Sequence, residues 1–175
     1  MLAVIALSVM LVLTTTVLHY EFLRGLTALL GIITRAGRVR VLIGVIGTFL
    51  GHSVEIFLYA LADYLLRDHF GLGNFGGHFA DHFSTFFYFS AETFTSVGMG
   101  DIYPVGPLRL VCGVEALNGL LLIGWSASFT YIAMERFWKR PHRPNRKPAY
   151  YGSTRVQRSF RSGKSQLDDS STDTM

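Results

Sequence analysis

The sequence predicts an all-α membrane protein with three transmembrane helices plus one short re-entrant helix that leads into a glycine-flanked loop. Three observations lead there. Half of the 175 residues are hydrophobic and 14% are aromatic, a balance that suits a small integral membrane protein better than a soluble domain of equal length. Three apolar runs, Met1–Leu18, Val41–Leu66 and Leu108 to about Phe137, have lengths near the roughly 17 to 25 residues that cross a bilayer. A fourth stretch, Phe83–Phe94, is far more aromatic than these runs but too short to cross.

Met1–Leu18 is apolar except for Ser8 and Thr14 to Thr16, whose hydroxyls can bond back to a helix backbone. A signal peptide is the rival reading. The missing basic leader and the absence of a small-residue cleavage site favour a first span over residues 1–18. From His19 to Arg40 the character changes: Leu23, Leu26, Leu30 and Ile33 recur at helical spacing among Arg24, Arg35, Arg38 and Arg40. That pattern suits a cytoplasmic interfacial segment over residues 19–40, whether a plain basic connector or one with a regulatory duty.

The second span, Val41–Leu66, carries His52 and Glu55 on one helical face and Asp63 nearer its far end. Ionisable groups at membrane depth are costly and should face protein or water. A structural His52–Glu55 pair and a proton or voltage sensor are both open, whereas a metal set lacks a visible third ligand. Arg67 to Asp81, with Gly71, Gly73, Gly76 and Gly77, reads as a flexible loop. His78 and His82 there are expected to be exposed, with zinc binding as the alternative if the segment is helical.

Asp81 can cap a helix running to Phe94, which fits a re-entrant helix buried in protein. Pro104 and Pro107 then separate the glycine segment from the third span, and Trp138, Lys139 and Arg140 close that span at the interface. The tail, residues 139–175, is rich in Arg, Lys, Ser, Pro and Asp and is expected to be a disordered cytoplasmic tail. Its arginines could meet anionic lipid headgroups at about 1 kcal/mol each. Arginines after the first span and in the tail place the amino terminus outside and the carboxyl terminus inside. Cys112, the single cysteine, lies in an apolar run and reads as a buried structural thiol.

The chemistry sits in Thr95-Ser96-Val97-Gly98-Met99-Gly100-Asp101. Glycines on either side of one residue let a backbone turn its carbonyls to one side, and a ring of such carbonyls can replace the hydration shell of a monovalent cation, as potassium-channel filters do. From Tyr88 to Pro104 the text is YFSAETFTSVGMGDIYP. It closely resembles the pore helix and selectivity filter of bacterial two-transmembrane potassium channels. The stretch GPLRLVCGVEALNGLLLIGWSASFTYIAMERFW looks like a bacterial family of small ion-channel proteins with an extra amino-terminal helix. The resemblance covers about Phe86 to Trp138.

The resemblance implies a potassium-channel pore fold over residues 41–138, assembled as a homotetramer in a bacterial inner membrane, with K⁺ as the permeating ion and no other cofactor. Ser96, Val97, Gly98, Met99 and Gly100 fall on the filter positions, with Asp101 behind the outer mouth and Thr95, Tyr88 and Phe89 supporting. Glu92 matches a pore-helix glutamate that bonds to the filter aspartate in some members; two close carboxylates cannot both ionise cheaply, so Glu92 is expected to be the protonated partner of Asp101. Met99 departs from the family, which generally carries tyrosine there. Methionine keeps the carbonyl but cannot donate a hydrogen bond, which opens the alternative of a weakly selective K⁺/Na⁺ channel. A non-conducting pore-fold subunit or sensor is the third reading.

In the third span, Asn118 could face the cavity or bridge helices, Gly119 and Gly124 could allow bending or close packing, and Glu115 reads as a helix–helix contact. No nucleophile–base set, closed metal set or phosphate loop is visible, so an enzyme is not expected. Nor is a nucleic-acid partner.

Overall fold

The computed structural model describes residues 1–33 and 37–138, with side chains through residue 135. Four helices and two short strands form in the order α1 (Leu2–Ile32), α2 (Gly37–Asp68), β1 (Asn74–Gly77), α3 (Phe83–Phe94), β2 (Ile102–Val105) and α4 (Leu108–Trp138). Helices α1, α2 and α4 are long and apolar enough to cross a membrane, while α3 has 12 residues. Their outward faces carry unpartnered apolar side chains, such as Val9, Leu13 and Val17 on α1 and Ile46, Phe49 and Leu50 on α2. Lipid is the environment in which such faces cost nothing.

One expected boundary moves. Residues 1–18 and 19–40 are not a span followed by a separate interfacial helix, because α1 continues unbroken from Leu2 to Ile32. The residues that suggested a surface helix, Leu23, Leu26 and Leu30, are buried. Leu26 packs on Gly47 and Leu30 on Gly44 of α2, which explains their spacing without an interface. Arg24 stays exposed beside Glu21. Arg35 and the tail with Lys139 and Arg140 lie outside the described residues.

The two helices form an antiparallel hairpin in a regular register: Leu30 faces Gly44, Leu26 faces Gly47, Phe22 faces Gly51, and His19 meets Glu55. Small residues on α2 make this close approach possible. A side chain at Gly47 would overlap Leu26. Helix α4 runs parallel to α1, with Asn118 opposite Thr15 and Ser126 opposite His19, and antiparallel to α2. The chain therefore passes up, down and up, so Met1 and the α2–α4 connection share one end of the bundle.

That connection holds the re-entrant element. The glycine segment expected as a loop contains β1, paired antiparallel with β2 through Asn74↔Val105, Phe75↔Pro104, Gly76↔Tyr103 and Gly77↔Ile102. Gly77 has φ +116°, and a Cβ there would overlap the Asp101 carbonyl oxygen. Local sequence gave no strand signal because a four-residue pairing is stabilised by its partner, not by propensity. Phe75 is buried edge-on against Phe86 and Phe89 of α3. The ribbon thus fastens the chain beyond the α3–β2 loop to the outer surface of α3.

Candidate functional site: the α3–β2 loop

Helix α3 starts at Phe83 as the sequence suggested, but not through the expected cap. His82 occupies the N-cap position with no side-chain cap bond. Asp81 instead accepts two hydrogen bonds from Arg67 Nη2, at 2.7 and 2.6 Å. The guanidinium at the end of α2 outcompetes an amide as partner because it carries full charge. This bond holds the Asp81 carboxyl below the usual carboxylate range. His78 and His82 are both exposed and do not share a helix.

The carboxyl end of α3 closes in a Schellman arrangement. Ser96 N–H donates to Thr93 O at 2.9 Å and Val97 N–H to Glu92 O at 2.9 Å. Ser96 takes the left-handed conformation the motif demands, with φ +58°. Gly98 and Gly100 follow at φ +53° and +82°. Left-handed residues therefore alternate at 96, 98 and 100, and alternation of hand is what turns successive carbonyls toward one side of a chain. The glycines were legible in the sequence. The left-handed serine was not, because a residue with a Cβ adopts that conformation only when surrounding bonds hold it there.

Glu92 supports this loop in an unexpected way. Its Oε2 accepts a hydrogen bond from Met99 N–H at 2.9 Å. The expected Glu92–Asp101 carboxyl pair is not formed among the described residues, and Asp101 Oδ1 accepts from Ile102 N–H at 3.1 Å. A backbone amide satisfies a buried carboxyl oxygen without placing a second acid beside it, which is the cheaper solution. Thr95 is tied to its own helix through Ala91 O at 2.7 Å.

Met99 is anchored from its sulfur. The Tyr88 hydroxyl donates to Met99 Sδ at 3.0 Å. The donor expected at residue 99 in the resembling family is thus supplied from α3, and methionine acts as acceptor. Phe89, expected to support the loop, is buried against Phe75 instead. Ser96, Val97, Gly98, Met99 and Gly100 are all exposed on the single chain.

The third span resolves its open alternatives. Asn118 does not face a cavity: it is buried, and its Nδ2 donates to Thr15 Oγ1 at 2.9 Å and Tyr59 Oη at 3.1 Å. Gly119 lies against the carboxyl end of α3, where a Cβ would overlap Phe94 O, so close packing is its visible role. Gly124 has open space around it. Glu115 accepts from the Ser90 hydroxyl at 2.5 Å, and Ser90 also reaches Ile56 O at 2.9 Å, which locks α3 between α2 and α4. Asp63 is fully buried beside Cys112 and Glu115, and neither of its oxygens has a hydrogen-bond partner among the described residues.

The His52–Glu55 pair forms as expected, at 2.9 Å. Sequence reading missed its third member, His19 of α1, whose Nδ1 lies 2.7 Å from Glu55 Oε1. No spacing rule connects residues 36 positions apart, and only the hairpin register brings them together.

Comparison with known proteins returned no match among curated proteins and none among solved structures. A family model described as an ion channel matches residues 51–136, the stretch that holds most of α2, all of α3, the alternating loop and nearly all of α4. Residues 51–136 are thus similar to an ion-channel family, within a chain that carries three membrane-length helices and a shorter fourth.

Proposed function

We propose that the protein is a potassium channel, passing K⁺ down its gradient through a homotetrameric filter made from Ser96, Val97, Gly98, Met99 and Gly100. The observation that carries the reading is the alternation of left-handed residues at 96, 98 and 100, held by Glu92 at Met99 N–H. One chain cannot encircle an ion. Four copies, each lending one strand of carbonyls, supply the ligands that replace water around K⁺. The exposure of Val97 and Met99 on the isolated chain, 61% and 68%, suits residues that neighbouring copies cover. The negative end of each α3 dipole favours a cation below the filter. Charge asymmetry supports a bacterial plasma-membrane orientation with the amino terminus and the filter mouth outside.

A weakly selective cation channel is the second reading, favoured by methionine at position 99. Against it, the Tyr88–Met99 contact gives the filter an anchor that methionine alone would lack. Reversal potentials of purified protein in planar bilayers, with mixed K⁺ and Na⁺, test the choice. Strong K⁺ preference in the wild type supports the proposal, and Met99→Tyr should preserve it. Equal permeability in the wild type, rising to K⁺ preference in Met99→Tyr, establishes the second reading. No current from properly assembled protein overturns both.

A further inference from the structure

The cluster at His19, Glu55 and His52 includes none of the filter residues and has no part in the function proposed above. His19 and Glu55 are 1% and 0% exposed, and the side chain of His52 is 16% exposed. Each residue offers one ligand atom, and the three atoms lie within 4.8 Å of one another. Two imidazoles with one carboxylate are a frequent three-ligand set for zinc, leaving a fourth position open. Hard ions such as Ca²⁺ and Mg²⁺ prefer six or more oxygen ligands, which this pocket does not offer.

The surroundings match what a metal-binding histidine needs beyond its own nitrogen. If His19 coordinates through Nδ1, its Nε2–H requires an acceptor, and Ser126 Oγ of α4 lies 3.4 Å away. Such outer partners fix the tautomer and the ring plane. Packing fixes them further. The His19 and His52 rings stack at 5.3 Å between centroids, Trp125 lies on His19 at 5.4 Å, and Phe94 on His52 at 5.8 Å. An ion here would be held by α1 and α2, with α4 and the end of α3 as its walls.

We propose that His19, His52 and Glu55 bind one divalent metal ion of the zinc class per chain, tying the first helix to the pore helices. Without an ion, each Nδ1–H can donate to one Glu55 oxygen. On binding, the proton of each imidazole moves to its Nε2, both Nδ1 lone pairs and one Glu55 oxygen turn to the ion, and no electron changes hands. Bonds of about 2.0–2.1 Å set tetrahedral ligand edges of about 3.3 Å; with Oε1 as the ligand, the 2.7 Å contact to His19 opens by about 0.6 Å, and the ligand atoms of all three residues already lie within 4.8 Å of one another.

The test uses the full chain, purified in detergent, stripped with chelator and titrated with Co²⁺ and then Zn²⁺. The expected result is one Co²⁺ per chain with the intense visible bands of a tetrahedral site, no thiolate charge-transfer band, and displacement by Zn²⁺. Ser126→Ala removes no ligand and should weaken binding about tenfold or more. His19→Gln, His52→Gln and Glu55→Gln should weaken it further, while Cys112→Ser leaves it unchanged. Absence of stoichiometric ion on the wild type overturns the proposal. So does a thiolate band that Cys112→Ser abolishes, since that would assign the ion to Asp63, Cys112 and Glu115. Unchanged affinity in folded His19→Gln overturns it as well. Bilayer currents are not needed for any arm, so failure here leaves the pore reading intact.

Discussion

Replacing Asn118 with leucine distinguishes a helix bridge from a cavity-lining residue. The side chain keeps the same branched shape, with bulkier ends, but loses both hydrogen bonds from Nδ2, to Thr15 Oγ1 and Tyr59 Oη. Interhelical hydrogen bonds in membranes average about 0.6 kcal/mol and reach at most about 1.7. Two of them therefore contribute about 1.2 kcal/mol, with a ceiling of about 3.4. Thr15 keeps its bond to Leu11 O at 2.8 Å, so little further penalty arises from an orphaned hydroxyl. The expected shift is about eightfold in the folded-to-unfolded ratio. Equilibrium unfolding in mixed micelles measures it, and a cycle with Thr15→Val should recover a coupling of about 0.6 kcal/mol. Unitary conductance should not change. Altered conductance or cavity block with unaltered stability would refute the bridging role and return Asn118 to the ion path.

Other perturbations follow from the same contacts. Glu92→Ala leaves Met99 N–H without its side-chain acceptor and should cost about 1–3 kcal/mol locally, read as faster loss of current during sustained opening; Glu92→Gln, which keeps an acceptor oxygen, should behave more like wild type. Gly119→Ala drives a methyl into Phe94 O and should destabilise the α3–α4 packing by about 1–3 kcal/mol, seen as reduced tetramer yield in native electrophoresis, whereas Gly124→Ala meets open space and should assemble normally. The Asp81 carboxyl is held low by Arg67, so its contribution is complete above the ordinary carboxylate range and disappears as pH falls through the depressed folded value. Melting temperatures of wild type and Asp81→Asn should therefore differ at neutral pH and converge in acid; a gap that persists in acid would show that the Arg67 bond is not its source.

Length and hydropathy determined much of this molecule directly. Three spans and the bounds of α3 follow from where apolar residues run and where they stop, because a bilayer demands a minimum helical length whatever the neighbours do. Gly98 and Gly100 likewise announced a backbone that needs left-handed angles, since that requirement is local. Other features depended on partners distant in sequence. The β1–β2 ribbon, the Asp81–Arg67 bond and the redirected Glu92 each exist because another segment offers a better partner than the local one. Leu26 and Leu30 read as part of a surface stripe until α2 was laid against them. The same hairpin carried His19 to Glu55, turning a pair on one helix into a buried cluster of three. Sequence periodicity records which face of a helix is apolar; only tertiary packing decides what that face meets, because contact depends on register between helices rather than on order along either one.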